Sequence, residues 1–204
     1  MTKAEGLATL ASEIEKCTRC DLYKSATHAV AGEGDASAKI VFIGEAPGFR
    51  EDAQGKPFVG SAGKLLGLLF SKVGLRREEV FITNMLKHRP PENRDPFPAE
   101  IVACNIWVER QLALLLPKIV VTLGKWSLNY YMPAKKISEV HGKPVRVQNV
   151  AVLPMYHPAA ALRSSNIARE LENDFLKNKE LLQNPQKADE ISDLFDESGQ
   201  ASLF

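Results

Sequence analysis

Three cysteines and one histidine are the side chains of this sequence best suited to bind a transition metal. Cys17 and Cys20 have the Cys-x2-Cys spacing that lets two thiolates hold one metal ion, and Cys104 and His88 come much later in the chain. These four residues predict either a Cys3His zinc site or an iron–sulfur cluster with one imidazole ligand. The alternative is a redox pair, Cys17 and Cys20, accompanied by a buried free thiol.

A second candidate site lies in the glycine-rich segment 44–63, GEAPGFREDAQGKPFVGSAG. Its glycines permit tight turns and a close approach of the backbone to a ligand. Glu45 and Glu51 supply carboxylates, and Phe58 follows a proline in a loop, which favours a stacking role over a place in the core. The segment contains neither GxxxxGK[ST] nor GxGxxG, so it is not a phosphate-binding loop. The alternative is an ordinary, solvated loop rich in turns.

Two polar residues follow apolar segments that read as strands. Asn84 ends EVFITN, and its amide offers both a donor and an acceptor to a planar base. His157 follows VAVLPMY within a Tyr-His-Pro sequence. Each has a plain structural alternative, a strand-end cap for Asn84 and a structural imidazole for His157.

The elements that carry these residues are short apolar strands alternating with helices. Strands are predicted at 39–44, 79–84, 118–124 and 150–158, and helices at 2–16, 61–74, 96–116 and 164–183. This alternation predicts an α/β fold with a parallel sheet covered on both faces. Ligands bind beyond the carboxyl ends of such strands, so the loops GEAPG, TNMLKHRPP, LGKWS and MYHPAAALR are expected to share one site.

Composition narrows the possible classes of protein. The chain has 204 residues, 45% of them hydrophobic and 25% charged, which fits one folded domain with or without a tail. It contains no apolar run long enough to span a membrane, no apolar signal core and only three cysteines, so we expect a cytoplasmic protein. We also expect a monomer. The net charge is +1, but residues 187–204 hold five acidic residues and one lysine. The remaining body is therefore mildly basic, which permits DNA binding.

Four segments together resemble the family 4 uracil-DNA glycosylases, the iron–sulfur branch of the uracil-DNA glycosylase superfamily. They are CTRCDLY, GEAPGFRED with GKPFVGSAGKLL, TNMLKHRPPENRDP with the later cysteine, and HPAAALR. The resemblance implies a three-layer α/β/α fold with a central four-stranded parallel sheet and a pocket for a flipped uracil. It also implies a 4Fe-4S cluster, with zinc as the alternative, on Cys17, Cys20, His88 and Cys104.

The resemblance further implies a role for each pocket residue. Phe58 stacks on the base, Asn84 binds the Watson–Crick edge of uracil, and His157 contacts the uracil O2, where negative charge grows as the glycosidic bond breaks. Glu45 orients a water or stabilises the cationic sugar. The lining is completed by Ala46 and Glu51.

A wedge for the DNA duplex is implied in the loop HPAAALR, at Leu162 and Arg163. Ala161 stands where a leucine is common in the family, so Leu162 is expected to carry more of that role. His88 stands where the family has a cysteine. A related branch has a histidine after Asn-x-x-Lys and links covalently to DNA, but this sequence lacks that branch's inserted basic loop, so we expect ordinary turnover.

The expected activity is that of a monofunctional uracil-DNA glycosylase, which starts base-excision repair on single- or double-stranded DNA and does not cut the strand. Two alternatives are a uracil-DNA sensor with little turnover and a glycosylase for another deaminated base such as hypoxanthine. Asn84 and the GEAPG loop favour uracil.

The C-terminal segment is expected to differ from the rest of the chain. We assign residues 1–183 to the catalytic domain and residues 184–204 to a disordered acidic tail. The tail ends in QASLF, which resembles the short motif that binds the bacterial β sliding clamp. In that motif Leu203 and Phe204 would bury in an apolar groove and Gln200 would bond at its rim.

Overall fold

Six strands form one mixed β-sheet at the centre of the computed structural model, which describes residues 1–193. The strands are β1 (Glu33–Gly34), β2 (Ile40–Gly44), β3 (Phe81–Asn84), β4 (Ile119–Leu123), β5 (Val145–Val147) and β6 (Val150–Met155). Their spatial order is β1-β3-β2-β4-β6-β5; the four inner strands are parallel, and both edge strands are antiparallel to their neighbours. The predicted α/β fold is confirmed. The sequence did not reveal the two edge strands, because two or three residues are too few to show a strand pattern.

Helices cover the sheet. They are α1 (Lys3–Glu15), α2 (Phe49–Gln54), α3 (Ser61–Val73), α4 (Pro98–Leu115), α5 (Lys125–Tyr131), α6 (Ile137–Val140), α7 (Pro158–Ala161), α8 (Ser165–Lys177) and α9 (Lys179–Gln183). The predicted helix over 164–183 is divided at Asn178, whose side chain donates hydrogen bonds to the carbonyls of Gly142 and Asp174. Within the described residues, no helix combines the length and the apolar character needed to cross a membrane.

Residues of the same strand pack on opposite faces of the sheet, which gives three layers. The ring of Phe42 in β2 lies 4.8 Å from that of Phe70 in α3 and 6.3 Å from that of Phe175 in α8. Its neighbour Val41 instead belongs to a cluster with Val108 of α4. Strands β2, β3 and β4 are buried along their whole length, as expected for a sheet covered on both sides.

The parallel strands bring the candidate residues to one edge of the sheet. Gly44 at the end of β2 is in register with Asn84 at the end of β3, and Leu123 of β4 is in register with Met155 of β6. The loops that follow these four strands therefore meet at the carboxyl ends, where a ligand site is expected.

The segment 184–193 differs from the prediction of a disordered tail. Residues Pro185–Glu190 form a short 3-10 helix in which Ala188 is buried. Lys118 donates to the Asp189 carboxylate at 2.8 Å, and the backbone N–H of Arg146 donates to the carbonyl of Ser192 at 2.9 Å. These residues pack on the sheet because the buried Ala188 side chain and these polar contacts stabilise a segment whose composition is otherwise polar. The clamp-motif residues Gln200, Leu203 and Phe204 lie outside the described residues.

Candidate active site

A cavity of about 390 Å³ opens at the carboxyl ends of the parallel strands. All six residues expected to bind or act on the base line it, namely Glu45, Ala46, Glu51, Phe58, Asn84 and His157. Arg163 of the expected wedge lines it as well, whereas Leu162 lies beyond the lining with 53% of its surface exposed. The structure thus gathers residues that are far apart in the sequence around one space.

The side chain of Asn84 is buried and lines this cavity. Its Oδ1 has no hydrogen-bond partner among the described residues, and leaving a buried acceptor unpaired costs about 1–3 kcal/mol. The neighbouring strand makes room for it through Gly44: a Cβ at that position would overlap Asn84 Oδ1 and would lie 2.7 Å from Cζ of Phe58. An unpaired acceptor in a space cleared by a glycine indicates a ligand that donates a hydrogen bond.

Phe58 is part of the core and of the cavity wall at the same time. It is only 7% exposed and packs within the main hydrophobic cluster, so the expectation of a loop aromatic outside the core was wrong. Its backbone has φ 50°, a left-handed conformation that is uncommon for a bulky residue. The ring lies 5.7 Å from that of His157. The surrounding core holds this strained residue in place, which fixes the ring at the edge of the cavity.

His157 presents a neutral ring with a defined tautomer. The backbone N–H of Ala159 donates to its Nδ1 at 3.1 Å, so in the neutral ring the proton resides on Nε2. Burial lowers the pKa of His157 to about 4, which keeps the ring neutral near pH 7. Nε2 is buried and has no partner within residues 1–193. The side chain therefore offers an N–H donor to a ligand in the cavity.

The two glutamates of the cavity have different surroundings. Glu51 accepts hydrogen bonds from the backbone N–H groups of Val59 and Gly60 at 2.9 and 2.8 Å, so it holds the loop in front of α3. Glu45 follows β2, and its pKa is raised by burial and by the charge of Asp95. Glu51 is thus suited to shape the wall, and Glu45 to act on a bound molecule.

A buried lysine, Lys87, which was not among the residues selected from the sequence, hydrogen-bonds to the backbone carbonyl of Asn84. Nζ of Lys87 donates to Oγ1 of Thr83 at 2.7 Å, to the carbonyl of Asn84 at 2.8 Å and to Oε1 of Gln111 at 2.8 Å. Gln111 is itself held by the carbonyl of Ala31. Burial lowers the pKa of Lys87 to about 7. The Asn-x-x-Lys spacing was the available signal, but it does not reveal that the lysine turns inward.

The loop after Asn84 contributes a further part of the wall that the analysis of the sequence missed. Pro90, Asn93, Arg94 and Asp95 all line the cavity. The signal in the sequence was the run RPPENRDP, in which prolines restrict the backbone.

Cys17 and Cys104 belong to one buried cluster with Leu86 and Trp107, and the partly buried Cys20 packs against this cluster. The indole N–H of Trp107 donates to Sγ of Cys17 at 3.2 Å. The neighbouring Cys104 thiol lowers the pKa of the Cys20 thiol.

His88 is buried on the loop after β3, directly after Lys87, whose buried amine interacts electrostatically with the Cys104 thiol. No three His, Cys, Asp or Glu side chains converge as a ready-made metal site within residues 1–193. Three thiols and one imidazole are suitable ligands for a metal ion or cluster, and they lie in the same region of the fold. They do not form a closed coordination shell.

Comparison with known proteins adds an independent finding. Residues 31–180 match the model of the Uracil DNA glycosylase superfamily. The chain is 47% identical over 188 residues to the type-4 uracil-DNA glycosylase of Saccharolobus solfataricus, with 87% of each chain covered. It is 45% identical to the type-4 uracil-DNA glycosylase of Archaeoglobus fulgidus, covering 87% of this chain and 94% of that one. With the type-4 enzyme of Thermotoga maritima the identity is 39%, over 89% of this chain and 97% of that one.

Proposed function

Because the chain belongs to the uracil-DNA glycosylase superfamily, we propose that it hydrolyses the N-glycosidic bond of uracil in DNA and so starts base-excision repair. The observation that carries this proposal is the pair of unpartnered polar atoms, Asn84 Oδ1 and His157 Nε2, in one cavity. An acceptor and a neutral donor match the edge of a uracil ring. The target nucleotide must leave the duplex to reach them, which costs roughly a few kcal/mol.

Recognition of the base rests on Asn84 and Phe58. Oδ1 of Asn84 accepts the N3–H of uracil, and its amide N–H donates to the uracil O4. Cytosine presents the opposite pattern, an acceptor at N3 and a donor at N4, and would leave the buried amide mispaired. The ring of Phe58 covers a face of the bound base.

Bond cleavage rests on His157 and Glu45. As the bond between C1′ and N1 breaks, its electron pair passes to the uracil ring, and His157 Nε2–H donates to O2, where the negative charge collects. A water oxygen then bonds to C1′ and releases its proton to solvent. The Glu45 carboxylate orients this water and stabilises the positive charge on the sugar.

The wedge and the absence of strand cleavage complete the proposal. Leu162 is exposed beside the cavity and would fill the gap that the extruded nucleotide leaves, with Arg163 at its rim. We propose a monofunctional enzyme, working as a cytoplasmic monomer on single- or double-stranded DNA. Borohydride should therefore trap no covalent complex between the protein and its DNA product.

Cys17, Cys20, His88 and Cys104 would hold a 4Fe-4S cluster, with zinc as the alternative. When bound, the cluster would supply a rigid link between the N-terminal segment, the loop after β3 and α4. It takes no part in the hydrolysis. Iron and sulfide analysis of anaerobically purified protein tests this, and zinc without iron would favour the alternative.

The C-terminal QASLF is proposed to bind the β sliding clamp through Gln200, Leu203 and Phe204. A peptide of residues 187–204 should bind the clamp, and deletion of residues 200–204 should abolish clamp binding while excision from short oligonucleotides stays unchanged. Equal binding by the deleted protein would contradict this part of the proposal.

The decisive experiment is single-turnover release of the base from matched oligonucleotides that carry uracil, hypoxanthine, xanthine or thymine. Release of uracil alone supports the proposed function. Tight binding of uracil-DNA without release would indicate a sensor, and faster release of hypoxanthine would indicate a different glycosylase. Asn84→Ala and His157→Ala serve as inactive controls, and their thermal unfolding shows whether they are folded.

A further inference from the structure

Two exposed phenylalanines border the mouth of the cavity, and each lies against an arginine. Phe49 is 65% exposed and directly follows Gly48, which lines the cavity; Phe97 is 57% exposed. The guanidinium carbon of Arg89 lies 5.2 Å from the ring centre of Phe49, and that of Arg94 lies 3.8 Å from the ring centre of Phe97. Neither phenylalanine has a part in the reaction described above.

The pair formed by Arg94 and Phe97 is held rigidly. Arg94 donates to both carboxylate oxygens of Glu100, at 2.9 and 2.6 Å, and the backbone N–H of Phe97 donates to the same carboxylate at 2.7 Å. Because Glu100 neutralises the guanidinium, Arg94 serves as a flat support behind the ring. The Arg94 guanidinium covers one face of the Phe97 ring, and the rest of the ring is open to solvent.

The second pair is fixed through the cavity wall. Nε of Arg89 donates to Oδ1 of Asn93 at 2.7 Å, and Asn93 lines the cavity with φ 55°, a left-handed backbone conformation. Within residues 1–193 Arg89 makes no ion pair with an acidic side chain. Its charge is therefore available to a phosphate beside the ring of Phe49.

We propose that Phe49 and Phe97 are stacking platforms for nucleobases that flank the flipped uracil. This inference rests on the proposed function and extends it from the uracil pocket to the neighbouring nucleotides. Nucleobases offer flat faces that stack on aromatic rings whatever their sequence. Extruding the uracil removes one stacking partner from each neighbouring base, and the Leu162 side chain, which is smaller than a base, leaves part of those faces available next to the cavity.

The surroundings favour DNA over a protein partner at these rings. Arg89 at the mouth and Arg163 in the lining form no ion pair with an acidic side chain within residues 1–193, and a polyanion matches their charge. The platforms also adjoin the cavity that the extruded base must enter. A protein bound to both rings would cover that entrance.

The test compares Phe49→Ala, Phe97→Ala and Phe97→Trp with the wild type on uracil oligonucleotides. In one set all bases are present, and in the others one neighbour of the uracil at a time is replaced by a stable abasic analogue. The half-saturation concentration and the saturating single-turnover rate are measured at one salt concentration. Leu176→Ala, which also truncates an exposed side chain but lies outside the cavity lining, is the matched control.

Each alanine variant should raise the half-saturation concentration by roughly 5- to 150-fold, while the saturating rate stays within about 2-fold. Phe97→Trp keeps a flat ring and should restore the wild-type value. With the abasic analogue at the contacted position, wild type and alanine variant should become equal, because the base that the ring contacts is gone. Leu176→Ala should behave as wild type throughout.

A half-saturation concentration that is unchanged in both alanine variants would overturn the proposal. So would an increase in that concentration that is equally large whether or not each flanking base is present. A loss of self-association in Phe97→Ala, with DNA affinity unchanged, would instead assign the ring to a contact between copies of the chain. Failure of the wild type to release uracil would contradict the proposed function. In that case the affinity for the same uncleaved oligonucleotides still tests the platforms.

Discussion

Replacing Gly44 by alanine should disable base recognition while leaving the fold in place. The new Cβ would overlap Asn84 Oδ1 and lie 2.7 Å from Cζ of Phe58, whereas ordinary contacts begin at 3.4 Å. The ring must therefore move by about 0.7 Å and the amide by more, and a displacement of about 1 Å can lower a rate by roughly 100-fold. Gly67→Ala in α3 is the matched control, because a Cβ there meets nothing within 4 Å.

The assay is single-turnover uracil release at saturating protein, together with thermal unfolding of both variants. Gly44→Ala should lose roughly 100-fold in rate and remain folded, and Gly67→Ala should keep the wild-type rate with equal or higher stability, since alanine favours a helix by about 1 kcal/mol over glycine. A Gly44→Ala protein that releases uracil within about 2-fold of wild type would refute the close approach of Asn84, Phe58 and this strand end.

Three further predictions concern pH, the buried lysine and the cysteine cluster. The pKa of His157 is about 4 in the folded protein against an ordinary 6.5, so the unfolded chain is protonated first as the pH falls. The free energy of unfolding should therefore decrease by up to about 3 kcal/mol between pH 6.5 and pH 4. Urea unfolding of the wild type and of His157→Gln at both pH values measures this decrease, and an equal decrease in the two proteins would contradict the prediction. Lys87→Met removes the amine that donates to the Asn84 carbonyl and leaves Gln111 Oε1 with only the Thr83 hydroxyl as a donor. The substitution should therefore lower the free energy of unfolding by about 1–3 kcal/mol and slow uracil release. Unchanged stability and rate would contradict the role of the network. Cys104→Ala should abolish iron binding, as measured by iron content, whereas retention of full iron would exclude Cys104 as a ligand.

The sequence predicted the elements that have a long, regular pattern. The apolar strands around Phe42, Val121 and Leu153 and the helices with apolar residues at helical spacing were located because burial dictates their composition. The convergence of Glu45, Asn84 and His157 followed from a general property of parallel sheets, since all three lie at the carboxyl ends of strands: Glu45 follows β2, Asn84 ends β3, and His157 is two residues beyond β6.

Other features depend on contacts between distant segments and could not be predicted from local sequence. Phe58 follows a proline in a loop, yet it is buried because α3 and the sheet close around it. Lys87 looks like a surface residue until Thr83 and Gln111, from two different elements, surround its amine. The polar segment ending at Asp193 is ordered by partners on the sheet that its composition does not reveal.

The hydrogen bond from the Ala159 N–H to His157 Nδ1 connects the proposed catalytic ring to the helix that precedes the proposed wedge. The ring that we propose to stabilise the departing base is also the N-cap of α7, and Leu162 follows at the other end of that four-residue helix. Any change that rotates the ring or protonates Nδ1 would therefore also break this hydrogen bond in the first turn of the segment that we propose to enter the DNA. Hydrogen exchange of the Ala159 amide therefore measures how stable this hydrogen bond is, and the exchange should slow when uracil occupies the cavity.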